Sequence, residues 1–166
     1  MARTLLVIDI QNDYFDGGVL PLWQPEAVEA RVVSAIAKAK AAGDKVVLVR
    51  HISKADKGLF ASDAGNAIRP AILAAAPDAA VVIKHVADAF QDTDLASHVA
   101  DSDDLVVCGM MTQNCVVFTA LSRLAAGRPV RVVGELCTAP TETVHNIALS
   151  ALRSKGLVVS AAEVWT

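Results

Sequence analysis

Three side chains in this chain sit where their burial demands an explanation. An aspartate interrupts the apolar run LLVIDI (Asp9), a lysine interrupts VVIKHV (Lys84), and a cysteine follows GMMTQN (Cys115). A carboxylate in an apolar strand is costly unless a cation or several donors compensate it, and a buried ammonium poses the complementary problem. Asp9 and Lys84 would satisfy each other if the fold brought them together; the alternative is that each reaches water at its own strand end. Cys115 opens a helical stretch, where free backbone N–H groups and the helix dipole favour an anion. It is therefore read as a nucleophile with a depressed thiol pKa. The same N–H groups could hold the oxyanion formed by attack on a carbonyl carbon. Cys108, within a strand, and Cys137 read as inert buried thiols.

Other chemistries find no support. His51, His85, His98 and His145 fall on separate elements without metal-ligand spacing, so no metal site is expected. No glycine-rich phosphate cradle follows the first strand, so no nucleotide cofactor is expected either. A net charge of −3 and a pI near 5.7 give no basic field for a nucleic acid partner. Hydrophobic residues make up 54% of the chain, but charged residues or glycine interrupt every apolar stretch well short of a membrane span of ~18 residues. The N-terminus MARTLLVIDIQNDY lacks the pattern of a secretion signal, and three cysteines argue for free thiols, so a cytoplasmic location is expected.

The elements that must position these residues follow from periodicity. Apolar, β-branched runs at Thr4–Ile10, Lys45–Arg50, Ala80–Lys84, Asp104–Gly109, Val130–Gly134 and Gly156–Ser160 read as strands covered on both faces. Between them lie alanine-rich helical stretches. One runs from Pro25 to Gly43, and a second spans Asn66–Ala76. A short one from Leu95 to Val99 is capped by Thr93. A fourth carries Val117, Ala120, Leu121 and Leu124 on one face, and the last carries Val144, Ala148 and Leu152 before Gly156. Segments Asn12–Gln24, His51–Gly65, His85–Asp92 and Glu135–Thr141 read as loops. This alternation predicts one α/β domain over residues 1–166, a doubly wound, mainly parallel six-stranded sheet with helices on both faces. Ligands of such sheets sit at the carboxyl ends of the strands, which is where Asp9, Lys84 and Cys115 fall.

In order and spacing, LLVIDIQNDYF, VIKHVADAF and VVCGMMTQNCVVFTALSRLAAG resemble the isochorismatase-like cysteine hydrolases over nearly the whole chain. That family includes nicotinamidases, N-carbamoylsarcosine amidases, ureidoacrylate and maleamate hydrolases, and isochorismatases. The resemblance implies a catalytic triad of Asp9, Lys84 and Cys115. It also implies a cis peptide between Met110 and Met111, and oxyanion donors from the backbone N–H groups of Met111 and Cys115. Gln11, Phe15, Trp23 and Phe90 would line a substrate pocket, although each aromatic could equally be ordinary packing. Nicotinamidases carry an Asp-x-His metal motif after the second strand; here VLVRHISKADKG places Arg50 and Ile52 around His51, which argues against metal dependence.

The cysteine favours covalent hydrolysis of a C–N bond in a small amide, carbamoyl or ureido compound through a thioester. Two alternatives stay open: vinyl-ether hydrolysis by Asp9 and Lys84 with Cys115 a bystander, and a catalytically quiet scaffold that binds a small molecule or a partner. The chain is somewhat short for the family, which suggests trimmed loops and leaves open a pocket completed by a neighbouring subunit; a homo-oligomer is expected.

Overall fold

A computed structural model describes residues 1–166. Six strands, β1 (Arg3–Ile8), β2 (Lys45–His51), β3 (Ala80–Lys84), β4 (Asp104–Met110), β5 (Val130–Thr138) and β6 (Val158–Val159), form one sheet in the order β3-β2-β1-β4-β5-β6. Every pairing is parallel, so the sheet is wholly rather than mainly parallel. The chain winds outward from β1 to β3, then returns to place β4 on the other side of β1. The ends of β1 and β4 therefore flank the point where the winding reverses.

Alternate residues of β1 feed two separate cores, as a period of two requires. Leu5 and Val7 join the layer under α1 (Pro25–Ala41), α3 (Pro70–Ala75) and α7 (Ala161–Val164). Leu6 and Ile8 join the layer under α4 (Leu95–His98), α5 (Val117–Ala125) and α6 (Glu142–Arg153). Helix α1 starts with Pro25 at its first position and ends before Gly43, whose φ of 79° is open only to a residue without a Cβ penalty.

Several boundaries differ from the sequence expectation, each for a local reason. The stretch Asn66–Ala76 is not one helix: Ser62 caps a separate turn, α2 (Asp63–Asn66), and Pro70 forces Arg69 out of the helical region before α3 begins. His51 belongs to β2 and Glu135–Thr138 to β5, not to loops. β5 shifts register between Val132 and Cys137 against Val107 and Gly109, then resumes pairing, so Gly134 marks an irregularity and not a strand end. β6 shrinks to two residues because Gly156 lies beyond the end of α6 and Ser160 already caps α7 in a capping box with Glu163. On α5, Thr119, Ala120 and Arg123 are buried while Leu124 is exposed, so its inner face is rotated from the one expected. The edge strand β3 is covered on only one face, leaving Val81 and Ile83 about two-fifths exposed.

Gly109, near the end of β4, has φ 118°, and a Cβ there would overlap the Ile8 carbonyl of β1. Gly109→Ala should cost about 2–6 kcal/mol, from backbone strain plus forced separation of the two central strands. Urea unfolding would register it as a lower midpoint at unchanged slope.

Candidate active site

The site grows from three strand ends. Asp9 follows β1 with φ 53°, a left-handed conformation that aspartate tolerates better than most residues. Its N–H still donates to the Val49 carbonyl of β2, so the turn is anchored while the side chain is freed. Lys84 ends β3 in register with His51, the last residue of β2. Cys115 lies in a π-helical turn, Thr112–Val116, that joins β4 to α5. The Met111 carbonyl accepts from the N–H groups of Asn114 and Val116, which fixes that turn. The Met110–Met111 peptide just before it is cis.

These elements bring Asp9, Lys84 and Cys115 together. The Lys84 Nζ stands 2.9 Å from Oδ2 of Asp9 and 3.2 Å from Sγ of Cys115. It also stands 3.0 Å from the Val86 carbonyl and 2.9 Å from Nδ1 of His51. An ammonium has three N–H bonds and here meets four acceptors. Asp9 has the poorest alignment of the four: neither of its oxygens accepts an aligned hydrogen bond, although the residue is wholly buried. Asp9 and Lys84 are 0% exposed and Cys115 1%, so the cluster works in a low-dielectric setting where each charge counts heavily.

That setting reverses one expectation. The Cys115 thiol is pushed up to about 12, first by burial and then by the Asp9 charge, with the Lys84 ammonium pulling the other way. Burial also raises the Asp9 carboxyl, against the Lys84 charge. One ammonium cannot neutralise two anions, so carboxylate and thiolate compete for it. Burial and the Asp9 charge both favour the protonated form of the sulfur. Cys108 and Cys137 are free and buried, and their thiols are raised by burial without any facing ammonium.

The four residues expected to line a pocket divide. Gln11 is wholly buried with its amide committed to backbone: Nε2 donates to the carbonyls of His51 and Asn66, and Oε1 accepts from the His51 N–H. Phe15 lies in the apolar core beneath the Arg69 guanidinium, 4.0 Å from its ring centre. Both are scaffold. Trp23 is half-buried, tilted against His145 with ring centres 5.8 Å apart, and His145 Nδ1 lies 2.7 Å from the Thr112 hydroxyl at the start of the Cys115 turn. Phe90 is half-buried and packs against the apolar cluster that contains Cys115.

His51 is the residue that the sequence reading passed over. The histidines do not group with one another, but His51 joins Asp9 and Cys115, with potential ligand atoms all within 4.8 Å. The gap among them is filled by the Lys84 ammonium, which a divalent ion would have to displace. The available signal was positional: a polar residue at the carboxyl end of β2, one strand from Lys84.

A doubly wound parallel sheet with a buried aspartate, lysine and cysteine at its switch point is the arrangement of a hydrolase of the cysteine type. The chain belongs to the isochorismatase family of hydrolases, whose domain description, "Isochorismatase domain", matches residues 3–164. An isochorismatase family protein of Bacillus subtilis is 30% identical, with 99% of each chain covered. Among solved structures, a protein of Oleispira antarctica described as an isochorismatase hydrolase superposes with a TM-score of 0.90 at 33% identity, over 98% of this chain and 95% of that one. A cysteine hydrolase of Pseudomonas syringae pv. phaseolicola shares the fold with a TM-score of 0.86 at 22% identity, over 98% of this chain and 90% of that one.

Proposed function

We propose that the protein hydrolyses a C–N bond in a small amide, carbamoyl or ureido compound, with Cys115 as nucleophile. The observation that carries this reading is the pairing of a thiol with a wholly buried carboxylate that lacks any aligned hydrogen bond, both facing one ammonium. A carboxylate left in that state is a proton acceptor waiting for a donor.

In this mechanism the Cys115 proton passes to Asp9 as Sγ bonds to the carbonyl carbon. The backbone N–H groups of Met111 and Cys115 receive the oxyanion of the tetrahedral adduct. Its collapse breaks the C–N bond, and Asp9 delivers the proton to the departing nitrogen, which leaves as ammonia or an amine. Water then attacks the thioester and gives a proton to Asp9. When the C–S bond breaks, that proton returns to sulfur and the carboxylic acid product leaves. Lys84 holds the negative charge wherever it lies, on carboxylate or sulfur. Transient thiolate formation in concert with attack is compatible with a thiol whose resting pKa is high.

The test is ammonia release from a panel of small amides, ureas and carbamoyl compounds. A substrate should show a covalent adduct on Cys115 by mass spectrometry, and Cys115→Ala should fold normally while losing turnover by at least about a thousandfold. Full turnover in Cys115→Ala would transfer the chemistry to Asp9 and Lys84 alone, as vinyl-ether hydrolysis requires.

A further inference from the structure

We propose that His51 is a working part of this site, with a separate task for each ring nitrogen: Nδ1 positions the Lys84 ammonium, and Nε2–H donates to an acceptor oxygen of the ligand.

The argument begins with how firmly the ring is held. The backbone N–H and carbonyl of His51 are both clamped by the Gln11 amide at 2.8 Å. The ring leans on Phe60 with centres 5.4 Å apart, and Phe60 is itself fixed by its N–H, which donates to the buried carboxylate of Asp13. A side chain held at both backbone and ring is poised for directional work and cannot swing aside.

Next comes the tautomer. The Lys84 Nζ is 2.9 Å from Nδ1, and an ammonium can only donate. Nδ1 must therefore be the bare, accepting nitrogen, and the proton of a neutral imidazole resides on Nε2. Burial, the Lys84 charge and the His85 charge push the ring toward this neutral form against a weaker opposing pull from the His85 backbone, holding its pKa down to about 4.

Finally, Nε2 makes no aligned hydrogen bond within the protein and is not fully buried. Asp9 and Lys84 are 0% exposed and Cys115 1%, whereas the His51 side chain is 20% exposed. Of the four clustered side chains, His51 therefore offers a ligand the first polar contact, a neutral N–H donor. The carbonyl oxygen of an amide, ureido or carbamoyl group is the acceptor that matches it. The ligand class rests on the function proposed above; the division of tasks between the nitrogens does not.

Two substitutions separate the tasks, because Asn offers an acceptor near Nδ1 and Gln offers a donor near Nε2. The readout is alkylation of Cys115, followed by peptide mapping, with two probes: methyl iodide, which has no acceptor oxygen, and iodoacetamide, which has one. Thermal unfolding checks that each variant is folded. His51→Asn should leave the methyl iodide rate within about twofold of wild type and lower the ratio of the iodoacetamide to the methyl iodide rate roughly fivefold, as expected for one neutral hydrogen bond. His51→Gln should keep the wild-type ratio and slow both probes several-fold, because the ammonium loses its fourth anchor. His51→Ala should show both losses. On any amide found to turn over, His51→Asn should raise KM more than it lowers kcat. If Asn and Gln variants behave alike with both probes, the nitrogens have no separate tasks, and His51 is packing for Phe60. If alkylation follows the prediction but no amide releases ammonia, the hydrolytic reading falls and the role of His51 stands.

Discussion

Asp9→Asn is expected to lower turnover by about 10²–10⁴-fold, the usual range for loss of a positioned general acid and base, while raising the rate at which iodoacetamide modifies Cys115. The two effects have one cause. Asp9 is wholly buried 2.9 Å from the same Lys84 ammonium that faces the sulfur at 3.2 Å, so carboxylate and thiolate compete for one cation. In the wild type, deprotonation of Cys115 is opposed by burial and by that carboxylate, and only Lys84 favours it. Asparagine removes the carboxylate charge and leaves the ammonium 3.2 Å from Sγ with no competing anion. The thiolate then forms at lower pH. The wild-type alkylation rate should climb through the alkaline range toward the thiol pKa of about 12, and the variant's rise should begin earlier. Turnover falls because the proton no longer has a carrier to the leaving nitrogen. A generally damaged protein would lose both properties or gain both. Alkylation and turnover falling in parallel would show that Asp9 supports the thiolate and does not compete with it.

How much of this was legible beforehand depends on the range of the forces involved. Asp9, Lys84 and Cys115 stood out because a charge or nucleophile at the end of an apolar run is a local anomaly, visible within a few residues. The parallel sheet was legible for the same reason, since strands covered on both faces show up as unbroken apolar runs. What was not legible depended on sequence separation. The resemblance puts Gln11 in the pocket, and the structure shows its amide bonded to His51 and Asn66, forty and fifty-five residues away. His51 looked isolated because its partners come from β1, β3 and the Cys115 turn, which only register brings together. The thiol pKa was misjudged because a local cue, the start of a helical stretch, was set against burial and an Asp9 charge that only the tertiary structure supplies. The short helix α7 was overlooked despite its Ser160-x-x-Glu163 capping box, which is a local signal in the sequence itself.

Lys84→Met should destabilise the fold by about 3–5 kcal/mol near pH 8, the cost of removing one partner from a buried ion pair. The methionine fills much of the space of the lysine stem, so the loss reports charge and not a cavity. It also has a pH signature. Burial already raises the Asp9 carboxyl above the usual aspartate range against the pull of Lys84, and without the ammonium that rise loses its main opponent. A carboxyl whose folded pKa lies above its unfolded one binds its proton more tightly when folded. Its relative stability is therefore full below the unfolded value and declines as pH rises through the folded one. The penalty of Lys84→Met should accordingly be small near pH 4 and grow toward pH 8. Adding Asp9→Asn should restore much of the loss at pH 8, because the orphaned charge is then absent, giving a coupling energy far from zero. The same double variant should remain inactive, since it has neither proton carrier nor charge holder for Cys115. Chemical unfolding of the four proteins at the two pH values measures the whole cycle. If Lys84→Met is as stable as wild type at pH 8, then the 2.9 Å contact between Nζ and Oδ2 does not carry the compensating charge. The buried aspartate would in that case have to be protonated at rest, which would deprive Cys115 of its base.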